Sequence, residues 1–351
     1  MPEKGLRVTC VIFGMQPSSN VRAIGREKIA AHFSIDWRTI NLEADWEAFK
    51  FFRGVKYARA ILRIFLVPIN LIRNWRNLTD TDVLYVIKFP PIWFSRIAKY
   101  FCKVVIYDFD DPMWLKQFVG TKKFAKHLTC YDAFTCDNEL QLDSAKIINP
   151  VGKVIEGLVP NFNGHTPAKR SGVKLIWVGS RSTQMYLKSI QGALTQVLGA
   201  RDFVSLRLLG ADRSNILIDH ERVSYLEVYD ETEMQNELCD ADIGLFPVLN
   251  DELSSARGVH KANIYFAAGI PVVATSSLLI QDRIKPALTG YICYTMDDWS
   301  KNLLSLIDNE FELLEMKGRI QFEFQIDKRN YESTQELFEF FRDLLELSKR
   351  K

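Results

Sequence analysis

The chain has 351 residues, a length that predicts two domains because a single hydrophobic core stops growing at about 250 to 300 residues. Its composition, 47% hydrophobic and 25% charged, is typical of a globular protein and excludes intrinsic disorder. No stretch reaches the roughly 18 uninterrupted apolar residues of a membrane-spanning helix, so the sequence predicts no such helix.

The charges are unevenly divided along the chain. Residues 1–165 carry 23 Lys and Arg against 16 Asp and Glu, a net charge of +7, whereas the remainder carries −5. This asymmetry suggests that the first part faces an anionic partner, such as a phospholipid surface or a phosphate-bearing acceptor. Chance variation of surface charge is the alternative.

Cysteine usage and the N-terminus both predict a cytoplasmic protein. The six cysteines are scattered, without a CxxC pair or a matching cluster of histidines, which argues against a zinc site and against a disulfide framework. The residues before Val8 are too few and too polar to predict a signal peptide.

Short apolar runs rich in Val, Ile and Tyr alternate with helical patterns, as in a parallel α/β sheet. The strands predicted in the first part are Val8–Phe13, Asp82–Ile87, Val104–Phe109 and Ala133–Cys136. Those predicted after the polar linker at residues 160–172 are Lys174–Val178, Ser205–Leu209, Val223–Val228, Ile243–Val248, Pro271–Thr275 and Tyr291–Tyr294. The sequence therefore predicts two doubly wound α/β domains.

The predicted domains are residues 1–165 and 172–328, followed by a helical segment at 329–351. Apolar residues recur in this last segment with a period of 3.6, at Leu337, Phe340, Phe341, Leu344 and Leu345.

Open α/β sheets bind ligands beyond the carboxyl ends of their strands, so the residues that follow each strand are the candidates. Gly14, Ser18, Ser19 and Asn20 lie between the first strand and a helix, whose exposed amide groups suit an anion or a sugar hydroxyl. A plain strand-to-helix turn is the alternative. The loop lacks the GxGxxG pattern of a dinucleotide site, which argues against a dehydrogenase.

Asp110 and Asp111 follow another predicted strand. Adjacent carboxylates at this position could orient a hydroxyl nucleophile or accept its proton, and we expect burial and mutual repulsion to raise the pKa of one of them. The alternative is that Asp111 caps a helix that Pro112 begins.

Gly179, Ser180 and Arg181 follow the first strand of the second domain. Backbone donors at a helix N-terminus beside a guanidinium hold phosphate well, so we predict a phosphate site here; an N-cap with an exposed arginine is the alternative.

A second cationic cluster lies further along the chain. It contains Arg257, His260 and Lys261, and Lys261 stands at the start of a helix, where the helix dipole and the ammonium both favour an anion.

The segment that begins at Lys261, with Tyr265, Ala267 to Gly269 and Pro271 to Ala274, resembles the KxxxYxAxGxPVVA segment of GT-B glycosyltransferases. The family that the chain resembles is glycosyltransferase family four, also called glycosyl transferases group 1. Further similar segments are Tyr107–Asp111, Val159–Asn161, Trp177–Ser180 with Tyr186 and Leu187, and Asp240–Pro247.

The resemblance implies the GT-B fold, two Rossmann-like domains around a cleft. The first domain would bind the acceptor, the second would bind a nucleotide-sugar donor, and residues 329–351 would form a helix that packs back on the first domain. The resemblance also implies retention of anomeric configuration and neither a metal nor another cofactor, because cations stabilise the departing diphosphate.

The family's Glu-x7-Glu motif is missing, since Ala256 and Ile264 stand at its positions. The family's Arg-then-Lys spacing behind the glycine is also missing at Arg181, so Arg257 and Lys261 are expected to carry more of the phosphate charge.

These observations predict a glycosyltransferase of the hexosyltransferase type that moves a sugar from a nucleotide-sugar donor to a glycan or lipid-linked acceptor in envelope polysaccharide synthesis. The predicted catalytic residues are Asp110, Asp111 and Lys261. The predicted donor-binding residues are Gly179, Ser180, Arg181, Arg257, His260 and Lys261, and the predicted acceptor-side loop contains Gly14, Ser18, Ser19 and Asn20. The alternatives are a nucleotide-sugar epimerase and a non-catalytic nucleotide-sugar-binding homologue; nucleic acid is not an expected partner.

Residues 49–76 contain seven Lys and Arg and no acidic residue, interleaved with aromatic and aliphatic side chains. This composition predicts peripheral binding to an anionic membrane, at the inner face of the cytoplasmic membrane. The alternative is a helix packed on its own domain with a solvated basic face.

Overall fold

The computed structural model describes residues 5–14, 19–43, 58–88, 90–116, 119–162, 172–215 and 218–350, with the side chains of Asn20 and of residues 58–63 left aside. The chain forms two compact units. The first contains residues 1–158, 256–258 and 330–351, and the second contains residues 159–255 and 259–329.

The first unit is built on a six-stranded parallel sheet in the order β2-β1-β3-β4-β5-β6. Its strands are β1 (Leu6–Ile12), β2 (Ile35–Asn41), β3 (Val83–Ile87), β4 (Val104–Asp108), β5 (Ala133–Cys136) and β6 (Gly152–Val154). Every residue of β3, β4 and β5 is buried. These strands read as continuous apolar runs because helices cover both faces of the sheet.

Helices of the first unit lie between these strands. They are α1 (Gly25–Ala30), α2 (Ala58–Arg73), α3 (Trp75–Thr79), α4 (Ile92–Ile97), α5 (Gly120–Leu128) and α6 (Glu139–Lys146). A π-helical turn at Asn20–Ile24 precedes α1, and a 3₁₀ turn at Met113–Leu115 follows β4.

The second unit contains another six-stranded parallel sheet, in the order β12-β11-β10-β7-β8-β9. Its strands are β7 (Val173–Val178), β8 (Val204–Leu209), β9 (Val223–Leu226), β10 (Ile243–Phe246), β11 (Val272–Thr275) and β12 (Gly290–Cys293). Its helices are α7 (Met185–Lys188), α8 (Gln191–Ala200), α9 (Glu231–Cys239), α10 (Glu252–Ser255), α11 (His260–Ala267), α12 (Leu278–Arg283), α13 (Met296–Asp308) and α14 (Glu310–Glu323).

Separate apolar clusters cover the two faces of the second sheet. Leu194 of α8 and Leu303 of α13 belong to one cluster, whereas Leu238 of α9 and Phe266 of α11 belong to the other. Burial on both faces is what a doubly wound sheet requires, so the predicted architecture of two doubly wound α/β units is confirmed.

The last helix, α15 (Ile326–Lys349), belongs to the first unit from Asn330 onward. Leu337, Phe338 and Phe341 are fully buried in a cluster with side chains of the first sheet. The ring of Phe341 stacks on that of Trp37, with centroids 6.4 Å apart. The predicted return of the terminal helix to the first domain is therefore confirmed, and Phe338 extends the predicted apolar stripe.

Two strands of the first sheet were not predicted. β2 alternates buried Ile35 and Trp37 with exposed Asp36, because it lies at the edge of the sheet. β6 has only three residues, all half-buried. Within the described ranges, no helix is long and apolar enough to cross a membrane.

Candidate functional site

A cavity of 370 Å³ opens at the carboxyl ends of β7, β8 and β9 in the second unit. Because parallel strands end at one edge of the sheet, the loops that follow these three strands meet there. The residues that line the cavity are Gly179, Ser180, Arg181, Gly210, Ala211, Asp212, Glu227, Val228 and Tyr229. The predicted phosphate-binding residues Gly179, Ser180 and Arg181 are therefore together in one cavity, with partners from two other loops.

The wall of the cavity around Gly179 is formed by closely packed backbone segments. A Cβ atom at residue 179 would lie 2.1 Å from the Trp177 ring, so a larger residue at this position would force the ring or the loop to move. Gly210 has a φ of 77° and approaches the Gly179 carbonyl, which accepts a hydrogen bond from the Tyr229 hydroxyl at 3.2 Å. The three loops are thus tied together around Gly179.

Arg181 is 75% exposed, and its guanidinium Nε lies 2.8 Å from Asp212 Oδ2. Hydrogen bonds from the hydroxyl and amide of Ser214, together with the charge of Arg181, hold the pKa of Asp212 below its usual value. Asp212 thus keeps the arginine at the rim of the cavity. The side chain of Arg181 is exposed, as the alternative interpretation predicts. Its guanidinium is nevertheless ion-paired with Asp212.

Lys261 lies in the first turn of α11, as predicted, and its Nζ is 5.4 Å from the centroid of the Trp177 ring. The same buried ring fills the space beside Gly179. His260 is the first residue of α11. Trp177 therefore lies next to both predicted phosphate-binding elements of the second unit.

Tyr265 fixes the helix that carries Lys261. Its buried hydroxyl accepts the Val178 amide at 2.9 Å and donates to the Leu245 carbonyl at 3.1 Å. These two hydrogen bonds tie α11 to β7 and β10. Lys261 and Tyr265 are four residues apart, so one helix face presents the cation and its anchor.

In the first unit, Asp110 and Asp111 lie after β4 among three cations. Lys88 forms an ion pair with Asp110, Lys116 Nζ lies 2.6 Å from Asp111, and Arg257 Nε lies 3.6 Å from Asp111. Lys88 has a φ of 40°, an unfavourable conformation for a lysine that brings it to the carboxylates.

The structure bears on two points at Asp111: the direction of its pKa shift, and the alternative that it caps a helix. Burial would raise its pKa, but Lys88, Lys116 and Arg257 outweigh burial and lower it. The predicted increase does not occur for this residue. Nor does Asp111 cap a helix, because the 3₁₀ turn after β4 has Pro112 at its N-cap and no side-chain cap.

The structure assigns Arg257, predicted to bind the donor, to the first unit. Two amides hold the adjacent Ala256 carbonyl there, the Asn138 side chain at 3.2 Å and the Gln141 side chain at 3.0 Å. At the next residue, a Cβ on Gly258 would collide with the Asp137 carboxylate. This packing positions the guanidinium beside Asp111.

Sequence reasoning missed a buried ionic network at the same edge of the first sheet. Arg22 donates two hydrogen bonds to Asp108, at 2.6 and 2.7 Å, and a third to Asp137 at 3.1 Å. Thr135 donates to Asp108 at 2.5 Å. Burial raises the pKa of Asp137 to about 6, although Arg22 opposes the increase. One guanidinium thus faces two carboxylates, and Asp108 holds it more tightly.

The predicted acceptor-side loop is described in part. Gly14 has a φ of 83° and donates its amide to the Asn41 side chain at 3.0 Å, and the buried Ser19 hydroxyl donates to the Gly14 carbonyl at 3.2 Å. Ser18 and the side chain of Asn20 lie outside the described residues. One of these contacts ties the start of the loop to β2, and the other joins the two ends of the loop.

The predicted membrane-binding segment, residues 49–76, is also described in part, since residues 49–57 and the side chains of 58–63 are not included. Within the described remainder, α2 buries Leu66 and Val67 and exposes Phe65 and Ile72, by 62% and 73%. The helix therefore has two apolar faces, and one of them faces solvent.

The part of the chain that the structure describes holds no group of three or more His, Cys, Asp or Glu side chains that could bind a metal ion.

No protein-family model matches the sequence, and no curated protein matches it significantly. The fold, by contrast, matches solved glycosyltransferases over nearly the whole chain. A glycosyltransferase from Rickettsia africae is 13% identical with a TM-score of 0.66, covering 97% of this chain and 99% of its own. WaaG, a glycosyltransferase of lipopolysaccharide biosynthesis, is 11% identical with a TM-score of 0.61, covering 97% and 99%.

HepE from Anabaena, solved with UDP and glucose, is 10% identical with a TM-score of 0.66, covering 95% of this chain and 99% of its own. Together with the two parallel sheets, these similarities confirm the predicted fold. The chain has the GT-B fold of glycosyltransferases.

Proposed function

We propose that the protein is a glycosyltransferase that moves a sugar from a nucleotide-sugar donor to a hydroxyl group. The observation that carries the proposal is the cavity at the carboxyl edge of the second sheet, with Gly179, Ser180 and Arg181 at its wall. The amides of Gly179 and Ser180 donate to the Leu209 carbonyl and the Thr183 hydroxyl, so the Arg181 guanidinium and the Ser180 hydroxyl are the groups that suit a diphosphate. The HepE structures contain UDP and UDP-glucose, which supports a nucleotide-sugar donor in a protein of the same fold.

Leaving-group stabilisation is the main catalytic effect that we propose. Arg181 and Lys261 would neutralise the charge that develops on the diphosphate as the glycosidic bond breaks. With two cations in this role, the reaction needs no metal ion. Retention of anomeric configuration is part of the proposal and is supported by the resemblance to glycosyltransferase family four.

In the first unit, we propose that Asp110 and Asp111 orient the acceptor hydroxyl. The lowered pKa of Asp111 keeps its carboxylate ionised, so it would accept a hydrogen bond from the hydroxyl rather than carry its proton away. Lys88 and Arg257 beside them would attract an anionic acceptor, such as a lipid-linked saccharide of envelope polysaccharide synthesis.

Release of free nucleotide tests this function. The protein is incubated with UDP-, GDP-, ADP- and dTDP-sugars, with and without glycan acceptors, and released nucleotide and sugar products are measured. A transferase releases the nucleotide faster when its acceptor is present. Binding without release would identify a non-catalytic binding protein, and acceptor-independent conversion of the sugar to its epimer would identify an epimerase.

A specific observation supports a second proposal, that the protein is cytoplasmic and binds the inner face of the cytoplasmic membrane peripherally. Ile64, Phe65, Ile69 and Ile72 form an exposed apolar face on α2. The segment 49–76 that contains them has seven basic residues and no acidic one. Apolar side chains can enter the headgroup boundary while the cations contact anionic lipids.

A further inference from the structure

We propose that the cavity of the second unit selects a guanine nucleotide, because the Glu227 carboxylate can accept the N1–H and the exocyclic N2–H of the base. The inference rests on the proposed function, since it identifies the nucleobase of the donor.

The order of the strands sets the direction of the bound nucleotide. β7, β8 and β9 are successive neighbours in the sheet. The β7 loop supplies the phosphate-binding residues Gly179 and Ser180, and the β9 loop supplies Glu227 and Tyr229. Two strand spacings separate these loops, about 10 Å. This distance leaves room for one ribose over β8, which brings the base to the β9 loop.

Two carboxylates line the cavity, and they differ in their remaining hydrogen-bonding capacity. Asp212 is engaged through both oxygens, because Ser214 donates its hydroxyl and amide to Oδ1, at 2.6 and 3.0 Å, and Arg181 contacts Oδ2. Among the described residues, only the Arg213 amide donates to Glu227, at 3.2 Å to Oε1. Its Oε2 accepts no hydrogen bond from the described residues, so Glu227 is the carboxylate that can bind a ligand.

The chemistry of the bases then decides which one fits. Guanine presents two adjacent donors, N1–H and N2–H, which match the two oxygens of a carboxylate. Uracil and thymine present one N3–H between two carbonyl oxygens, which a carboxylate repels. Adenine and cytosine place a ring-nitrogen lone pair beside their single amino group. A carboxylate at the base end of the cavity therefore favours guanine over each alternative.

Titration calorimetry with GDP, UDP, ADP, CDP and dTDP tests the inference on the whole chain. We expect GDP to bind about 10- to 100-fold more tightly than UDP, the discrimination typical of one bidentate base contact. Glu227→Gln should reduce this ratio to about one, because the amide offers a donor where guanine needs an acceptor. The matched control Glu221→Gln removes an exposed carboxylate that is not part of the cavity, and it should leave the ratio unchanged.

UDP is included because HepE was solved with it. Binding of UDP as tightly as GDP, or more tightly, would overturn the guanine inference and leave the proposed function standing. A preference for GDP that persists in Glu227→Gln would overturn the role of Glu227. If none of the five nucleotides binds, the proposed function and this inference fail together.

Discussion

The ammonium nitrogen of Lys261 lies 5.4 Å from the centroid of the Trp177 ring, and the same ring fills the space that a side chain at residue 179 would need. One buried indole therefore sets the positions of a cation and of a backbone turn in the candidate phosphate site. A cation over an indole face is held in place while its charge remains available to an anion.

Lys261→Ala should fold normally and lose about 10²- to 10³-fold in kcat, because the lysine stabilises charge that develops only as the glycosidic bond breaks. Lys261→Arg should restore part of the rate, since a planar guanidinium does not replace a compact ammonium. The measurement is turnover at saturating donor.

The matched control for Lys261 is Lys285→Ala, which removes a lysine that is 62% exposed and only loosely paired with Glu323. Its turnover should equal that of the unmodified protein. If Lys261→Ala also keeps full turnover, Lys261 is an ordinary surface charge and the phosphate role moves to Arg181.

Gly179→Ala should destabilise the second unit by about 1 to 3 kcal/mol, because the new methyl group would collide with the Trp177 ring. The loop would then have to move, and nucleotide binding should weaken. In contrast, Gly199→Ala in α8 meets no atom within 4 Å and should stabilise the protein by about 0.5 to 1 kcal/mol. Thermal unfolding with and without nucleotide compares the two variants, and equal melting temperatures would contradict the predicted collision.

Asp137 should make the stability of the first unit depend on pH. Its pKa is raised to about 6, so between about pH 4 and pH 6 the folded protein binds a proton that the unfolded chain releases. This contribution to stability is present at low pH and is lost as pH rises through that window, up to about 3 kcal/mol.

Asp137→Asn should remove this dependence, because an amide cannot ionise. Melting temperatures of both proteins between pH 4.5 and 7.5 provide the measurement. The variant should gain stability relative to the unmodified protein as pH rises, whereas Asp108 stays ionised in this range because Arg22 outweighs burial and lowers its pKa. A difference between the two proteins that is constant over this range would show that Asp137 titrates normally.

The double variant Phe65→Ser with Ile72→Ser should reduce cosedimentation with vesicles that contain about 30% phosphatidylglycerol. Burial of the apolar face of α2 and attraction of about 1 kcal/mol per basic residue both favour binding to such vesicles. Pure phosphatidylcholine vesicles should bind little protein. Phe322→Ser, at an 80% exposed position of the second unit, is the matched control. No binding to either vesicle type would remove the membrane proposal.

How well each strand could be predicted depends on its burial. β3 and β4 are buried at every residue, so their unbroken apolar runs could be recognised. β2 lies at a sheet edge and has Asp36 and Arg38 among its apolar residues, so it lacks the unbroken apolar run by which the other strands were recognised. Its alternation of buried and exposed residues is nevertheless a strand signal that could have been used.

The candidate site was predictable only where one loop supplied all its residues. Gly179, Ser180 and Arg181 are consecutive, and their spacing after a strand is visible in the sequence. Asp212 and Glu227 join them only because β8 and β9 follow β7 in the sheet. Such pairings depend on topology, which the residue pattern of a single chain does not specify.

The buried network of the first unit illustrates the same dependence at longer range. Arg22 and Asp108 are separated by 86 residues, and no sequence motif links the two. Their pairing follows from the neighbouring positions of β1, β3 and β4 in the sheet.

The position of α15 has a consequence for synthesis of the protein. Leu337 and Phe341 complete the core of the first unit, but about 170 residues of the second unit are translated between residue 158 and this helix. At ribosomal rates of 5 to 20 residues per second, the surface around Trp37 and Tyr85 stays open for roughly 10 to 35 s. The domain that leaves the ribosome first therefore cannot complete its core until the second unit has been synthesised, and its aromatic face stays exposed in the interval.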